Sequence, residues 1–323
     1  MKNILVTGGA GYIGSHIIEL LLKKNFKVFI IDNLSTGHKK LINKKAKFFK
    51  VDISKKNLIK KIIKKNNIDS VIHLAAKLNV REAEKKPKFY FKNNVGGTLN
   101  LLQICKNQNV RNFLFSSSCA VYSDKVPYAT ESSEKNPKGV YGQTKLKCEK
   151  IVKKYFKGKN RNYGILRYFN VVGASPSKKI GQINKNGQLF KNFSIAVKKK
   201  KPIFNIYGKD YNTFDGTCIR DYIHVYDIAD IHLKVLLKMD RASDPIILNC
   251  GYGKGLSVLE VANSFKKFSK NEVKIIFEKK RKGEMVKIVA NVKKLKKNLN
   301  WKPRFHKLNK MIKSSIEWEK KLN

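Results

Sequence analysis

The sequence predicts an α/β fold built on a doubly wound parallel sheet, and three observations carry that reading. Short apolar strands alternate with longer, helix-periodic stretches through the first half of the chain. A glycine-rich turn joins the first strand to the first helix, and an acidic residue closes the second strand. Right-handed crossovers between parallel strands cover both faces of such a sheet with helices and leave ligands to bind beyond the C-terminal strand ends. With 323 residues, 42% of them hydrophobic, the chain can bury one large α/β domain and a smaller one.

The first strand is expected over Asn3 to Thr7. Gly8-Gly9-Ala10-Gly11-Tyr12-Ile13-Gly14 follows at once, and then an apolar-periodic helix over Ser15 to Lys24. Strand, glycine turn and helix in that order is the context a dinucleotide site requires. The glycines allow a tight turn and let the backbone approach a pyrophosphate, whose charge then meets the N–H groups of the helix start. The second strand, Lys27 to Ile31, runs into Asp32, eighteen residues past Gly14. A carboxylate there accepts from both adenosine ribose hydroxyls and repels a 2′-phosphate, so NAD is favoured over NADP. Further alternation follows: a strand over Ala46 to Val51 and a helix from Ser54; a strand over Ser70 to Leu74 and helical chain to Lys106; a strand over Asn112 to Phe115 and the helix that carries Tyr141. The strand ends present Gly8, Asp32, Asp52-Ile53, His73 to Ala76 and Ser116-Ser117-Ser118, the serines reading either as a polar turn or as donors to a ligand.

Val140-Tyr141-Gly142-Gln143-Thr144-Lys145 sets a phenol and an ammonium four residues apart on a helix, hence on one face. A free phenol, with a pKa near 10, is a poor base at neutral pH, but a neighbouring cation favours its phenolate. The pair is a candidate general base, with Ser118 as a hydroxyl able to bond a substrate oxygen beside it.

Composition narrows the remaining classes. Lys+Arg 70 against Asp+Glu 23 gives a net charge of +47. The lysines come as scattered pairs on polar helix positions, with one run at Lys198 to Lys201 and no interleaved aromatics. That coats exposed faces generally, so no nucleic-acid partner is expected, although the field draws in small anions. Cys105, Cys119, Cys148, Cys218 and Cys250 form no C-x-x-C pair, so neither a disulfide framework nor a metal site is indicated. No signal-peptide core and no apolar run of membrane-spanning length is present, and a soluble cytoplasmic protein is expected.

With His73-Leu74-Ala75-Ala76 and Asn94 added, the chain resembles the extended short-chain dehydrogenase/reductase family, a Rossmann-type domain joined to a smaller sugar-nucleotide domain. Leu166-Arg167-Tyr168-Phe169-Asn170, the Tyr207 to Thr217 segment, Arg220-Asp221-Tyr222-Ile223-His224-Val225 and Leu299-Asn300-Trp301 resemble its members that invert C4 of UDP-hexoses. The likeness spans nearly the whole chain. It implies an NAD-binding domain over 1–168, rejoined by about 218–250, a smaller α/β UDP-sugar domain over 169–323, and a homodimer. Cofactor contacts are implied at Gly8, Gly11, Tyr12, Ile13, Gly14, Asp32, Asn33, Leu34, Ser35, Thr36, Gly37, Asp52, Ile53, Leu74, Asn94, Tyr141, Lys145 and Phe169. Substrate contacts are implied at Ser118, Tyr141, Asn170, Leu189, Asn205, Ile206, Tyr207, Arg220, Arg281 and Glu284. A guanidinium fork suits a diphosphate better than the abundant lysines do; as plain ion pairs, Arg220 would instead meet Asp221, and Arg281 would meet Glu284. Three departures stand out: Leu78 where the family often has lysine, with Lys77 one place earlier; Gln188 where some members have Asn; and Ile288 where some carry a bulky Tyr.

The activity so implied is interconversion of UDP-glucose and UDP-galactose, with UDP-N-acetylglucosamine added if Ile288 widens the sugar pocket. C4 of the hexose bears no acidic proton, so inversion needs transient oxidation to a 4-keto sugar, which bound NAD supplies. Tyr141 is expected to take the 4-hydroxyl proton, Lys145 to lower the Tyr141 pKa, and Ser118 to bridge to the oxygen. Related dehydratases carry an Asp-Glu pair just after the serine position, whereas Ser118 is followed here by Cys119-Ala120-Val121. Two further functions compete with these: a decarboxylase of the same family, and a non-catalytic NAD- or RNA-binding protein.

Overall fold

The computed structural model describes residues 2–156, 158, 161–184, 188–241, 244–281 and 283–322. The chain opens with β1 (Asn3–Thr7), α1 (Tyr12–Lys23), β2 (Lys27–Asp32), β3 (Lys47–Lys50), α2 (Lys56–Lys65) and β4 (Ser70–His73). Then come α3 (Val80–Lys85), α4 (Pro87–Tyr90), a π-helical turn (Phe91–Gly96), α5 (Gly97–Asn107), β5 (Asn112–Ser118), β6 (Tyr128–Ala129) and α6 (Val140–Tyr155). The second half begins β7 (Asn162–Tyr168), β8 (Asn170–Val172), α7 (Leu189–Ala196), β9 (Ile203–Tyr207), β10 (Ile219–His224) and α8 (Val225–Met239). It ends β11 (Ile246–Cys250), β12 (Gly255–Ser257), α9 (Val258–Lys266), β13 (Lys274–Glu278), β14 (Lys287–Ala290), α10 (Lys293–Leu299) and α11 (Leu308–Lys321).

The main sheet has seven strands, ordered β11-β7-β5-β4-β1-β2-β3, and every pair in it is parallel. The chain therefore winds outward from β1 in one direction and returns through β4 in the other. The gap between those two directions, at the C-terminal ends of β1 and β4, is where such sheets take ligands. Side chains alternate across the sheet: Ile4 and Val6 enter a core shared with α1 and α8, while Leu5 enters a second core with α2, α5 and α6. A smaller sheet, β12-β10-β14-β6 with β8 also on β10, and the parallel pair β13-β9 belong mostly to the second half. Beneath them, Phe190, Phe193, Phe204, Tyr222 and Phe265 pack with residues of α9 and α11 as a third core.

Several elements begin or end a residue or more away from their expected limits, and two of these shifts have a local reason. α1 starts at Tyr12 rather than Ser15, because extended Gly11 serves as its N-cap and puts Gly14 inside the first turn. β5 continues through Ser118 rather than stopping at Phe115, since its serines pair in register with Leu166, Arg167 and Tyr168 of β7.

α6 is fixed by a buried ion pair. Glu149 accepts from Arg167 of β7 through both carboxylate oxygens, at 2.8 and 2.7 Å, and from the Ser117 hydroxyl at 2.6 Å. Arg167 also donates to the Tyr122 hydroxyl and the Glu131 carbonyl, both at 2.9 Å. Glu149 stands four residues beyond Lys145 and eight beyond Tyr141, so it anchors the face of α6 that carries them.

Candidate active site

The glycine turn closes onto the end of β4. Gly8 has φ +73°, which glycine alone adopts without cost, and a Cβ on it would lie 2.8 Å from the Ala75 nitrogen. A Cβ on Gly14 would come within 2.4 Å of the Gly8 carbonyl oxygen. One on Gly11 would meet only that same oxygen, at 3.1 Å, so this glycine keeps its other side open to the cavity. Asp32 is 8% exposed, accepts from the Ala10 and Leu34 N–H groups at 3.0 and 2.8 Å, and has its pKa raised by burial. Leu34 takes φ +60° to make that bond. The residues present therefore fit a dinucleotide: an open glycine, a helix start facing it, and a carboxylate fixed at the end of β2.

A cavity of about 940 Å³ opens over these strand ends, large enough for a cofactor and a sugar nucleotide together. Its wall includes Gly8, Gly11, Tyr12, Ile13, Gly14, Asp32, Asn33, Ser35, Thr36, Gly37, Ile53, Leu74 and Phe169 from the expected cofactor set. From the expected substrate set it includes Ser118, Tyr141, Asn170, Leu189, Asn205, Ile206, Tyr207, Arg220, Arg281 and Glu284. Leu34, Asp52, Asn94 and Lys145 do not line the cavity. Asp52 accepts from the Asn33 amide at 2.5 Å, and Asn94 grips the Lys77 backbone through both its carbonyl and its amide. Several other wall residues were not expected at the site. Asn184 bonds His38 at 2.6 Å and the Thr36 carbonyl at 2.7 Å, bringing the 182–184 segment onto the loop after β2, while Lys199, Cys218 and Tyr222 arrive from the second half. The Asn184 contacts span 146 and 148 residues, beyond the reach of any local motif.

Tyr141 and Lys145 leave one face of α6 as their spacing requires, but their electrostatics differ from expectation. Lys145 donates to the Ser116 carbonyl at 2.7 Å, and its nitrogen lies 5.0 Å from the centre of the Phe115 ring and 5.9 Å from that of Tyr141. Burial pushes the Tyr141 phenol up, the neighbouring Cys119 thiol pushes it the same way, and a hydrogen bond with Ser118 pulls it down. Burial in turn lowers Lys145 to about 8. Desolvation outweighs the cation's pull because the ammonium is turned toward a backbone carbonyl.

Arg220 pairs with Glu284 at 2.7 Å, not with its neighbour Asp221. Adjacent residues of a strand point to opposite faces, so Asp221 turns away and accepts from the N–H groups of Tyr252, Gly253 and Ala290. Arg281 lies 3.9 Å from the other Glu284 oxygen and stacks on Tyr207, 3.7 Å from the ring centre. Ile288 does not line the cavity: it is 2% exposed and packs in the main core from β14, so the expectation that it sets sugar-pocket size is corrected. His73 sits between the Thr7 and Thr98 hydroxyls, His224 caps α8, and burial holds both well below 6.5, at about 3. The Cys119 thiol is pushed up to about 11 by burial, which leaves it a poor nucleophile. Among the described residues, no group of three His, Cys, Asp or Glu could hold a metal.

Residues 4–251 match the model of the NAD dependent epimerase/dehydratase family. The chain is similar to a UDP-glucose 4-epimerase of Lactobacillus helveticus, 38% identical over 98% of this chain and 97% of that one. It superposes on a UDP-glucose 4-epimerase of Bifidobacterium longum solved with NAD+ and UDP, at TM-score 0.91 and 33% identity, covering 99% of this chain and 98% of the other. It also superposes on the UDP-Glc/GlcNAc 4-epimerase of Campylobacter jejuni, at TM-score 0.85 and 35% identity, covering 99% of this chain and all of the other.

Proposed function

The chain belongs to the NAD dependent epimerase/dehydratase family, and from that premise we propose that it is an NAD-dependent isomerase that interconverts UDP-glucose and UDP-galactose by inverting C4. The observation that carries the reading is the meeting, in one cavity, of the glycine turn with Asp32, the Ser118–Tyr141 pair, and the Arg220 and Arg281 guanidinium groups. NAD, when bound, supplies reversible acceptance of the C4 hydride, so the sugar passes through a 4-keto form with no net oxidation. Gly8, Gly11, Gly14 and Asp32 hold it; Asp52 and Asn94 act from behind by fixing Asn33 and Lys77.

In this reading Tyr141 takes the proton from the 4-hydroxyl and returns it, and Ser118 bonds both that oxygen and the phenol. Lys145 positions the phenol from behind rather than touching the sugar. Arg220 and Arg281 hold the diphosphate while Asn205, Ile206 and Tyr207 lie beside the base. A clamp on phosphate with few fixed sugar contacts lets the keto sugar turn and present its other face. Of the cavity-lining carboxylates among the described residues, Asp32 belongs to the cofactor site, Glu82 bonds Tyr90 and Glu284 pairs with Arg220, so none of them forms an acid and base pair beside Ser118 to remove water as a dehydratase must. The likeness to the UDP-Glc/GlcNAc 4-epimerase of Campylobacter jejuni supports acceptance of UDP-N-acetylglucosamine as well. The same reading makes residues 1–168, rejoined by about 218–250, the cofactor half and 169–323 the substrate half of a cytoplasmic homodimer. Among the described residues no helix is long and apolar enough to cross a membrane.

The purified protein given UDP-galactose and no added NAD should form UDP-glucose without accumulating NADH, because each turnover restores the cofactor. Product that appears only with added NAD, with NADH in proportion, would replace the epimerase reading by a dehydrogenase.

A further inference from the structure

Arg81 is a cation at the cavity edge that belongs to neither the cofactor set nor the substrate set. It stands on α3, whose neighbouring residues Leu78, Asn79, Val80 and Glu82 line the cavity. Leu78 and Val80 are 53% and 54% exposed, so this wall faces open space and not the core. The Arg81 guanidinium carbon lies 5.7 Å from the centre of the Tyr207 ring, the ring on which Arg281 stacks at 3.7 Å. One aromatic side chain of β9 thus gathers two cations, one from each half of the chain.

A ring holds each cation only weakly, while two guanidinium groups so placed repel one another. The arrangement gains most when an anion lies among them. Glu284 does not fill that place, being paired closely with Arg220 and only loosely with Arg281. Among the described residues Arg81 has no carboxylate partner. Three guanidinium groups against one carboxylate leave a surplus of two positive charges, which matches a diphosphate esterified at both ends.

α3 is held firmly enough to present this group. Asn79 caps it, the Tyr90 hydroxyl bonds both the Asn79 carbonyl and the Glu82 carboxylate, and Glu84 accepts from the N–H of Val140, the first residue of α6, at 2.8 Å. Resting on the function proposed above, we propose that Arg81 is a substrate-binding residue: from the cofactor half it completes, with Arg220 and Arg281, the site for the diphosphate of the nucleotide sugar. Because Glu84 ties the same short helix to α6, a diphosphate held by Arg81 is kept in register with Tyr141.

The test uses the NAD-loaded enzyme as wild type, Arg81→Ala and Arg81→Lys, with calorimetric Kd for UDP and for uridine, and KM and kcat for UDP-galactose. Arg81→Ala should weaken UDP roughly tenfold or more, the size of one lost charge-assisted hydrogen bond, and uridine far less. Arg81→Lys should recover only part, since an ammonium lacks the planar fork. KM should rise more than kcat falls, with NAD content matching wild type as evidence of an intact fold. UDP binding in Arg81→Ala as tight as wild type or tighter would overturn the proposal, as would equal losses for UDP and uridine. A wild-type enzyme that binds no UDP would overturn the functional reading itself, and the Arg81 assignment with it.

Discussion

Tyr141→Phe should lower kcat for UDP-galactose by about 10²–10⁴-fold while leaving UDP binding and NAD content near wild type, since it removes the proton-transferring atom and almost nothing else. The phenyl ring keeps the packing, so this variant separates chemistry from folding. The pH dependence carries a sign that burial fixes. Because the phenol is pushed up and not down, the phenolate is the minor form at neutral pH, and its share grows about tenfold per unit of pH. The wild-type rate should therefore rise with pH up to about 8, where Lys145 itself begins to lose its proton. Lys145→Met should move that rise to higher pH, because removing a nearby cation disfavours the phenolate. Wild-type rates in Tyr141→Phe would show that another group moves the proton.

The second large effect falls on stability. Glu149→Ala should cost about 3–5 kcal/mol, because it leaves the Arg167 charge buried and unpaired between β7 and α6. Against a total of about 5–15 kcal/mol for a typical fold, that is enough to loosen the face of α6 that carries Tyr141 and Lys145. Thermal melting of the NAD-loaded protein measures it. The double replacement Glu149→Leu with Arg167→Met should recover much of the loss, since an apolar pair of similar volume has no charge to strand. A Glu149→Ala protein that melts with wild type would show that the pair does not hold α6.

Much of this architecture was legible because it rests on local chemistry. The order of strand, glycine turn and helix at Asn3 to Lys23, and Asp32 at the end of β2, follow from backbone rules that act over a few residues. The same is true of Tyr141 and Lys145, whose shared face is a matter of helical spacing. What neighbours do to those groups was not legible. Lys145 turns to the Ser116 carbonyl, which only the packing of α6 on β5 decides, so the expected fall in the Tyr141 pKa gives way to a rise. Arg220 finds Glu284, sixty-four residues away, and ignores Asp221 beside it. Ile288 reads as a pocket residue in sequence, yet its strand turns it into the core. Arg81 carried no motif at all; only the approach of α3 to β9 brings it to Tyr207.

The central claim is that the atom removed from C4 is held in the site and returned to the other face, and isotope retention tests it most directly. UDP-galactose deuterated at C4 is converted in ordinary water, and the UDP-glucose formed is examined for the label. The account predicts that the deuterium stays at C4 in full. Its loss to solvent would mean that the carbon is inverted by proton exchange, which would contradict the oxidation and return assigned to this cavity.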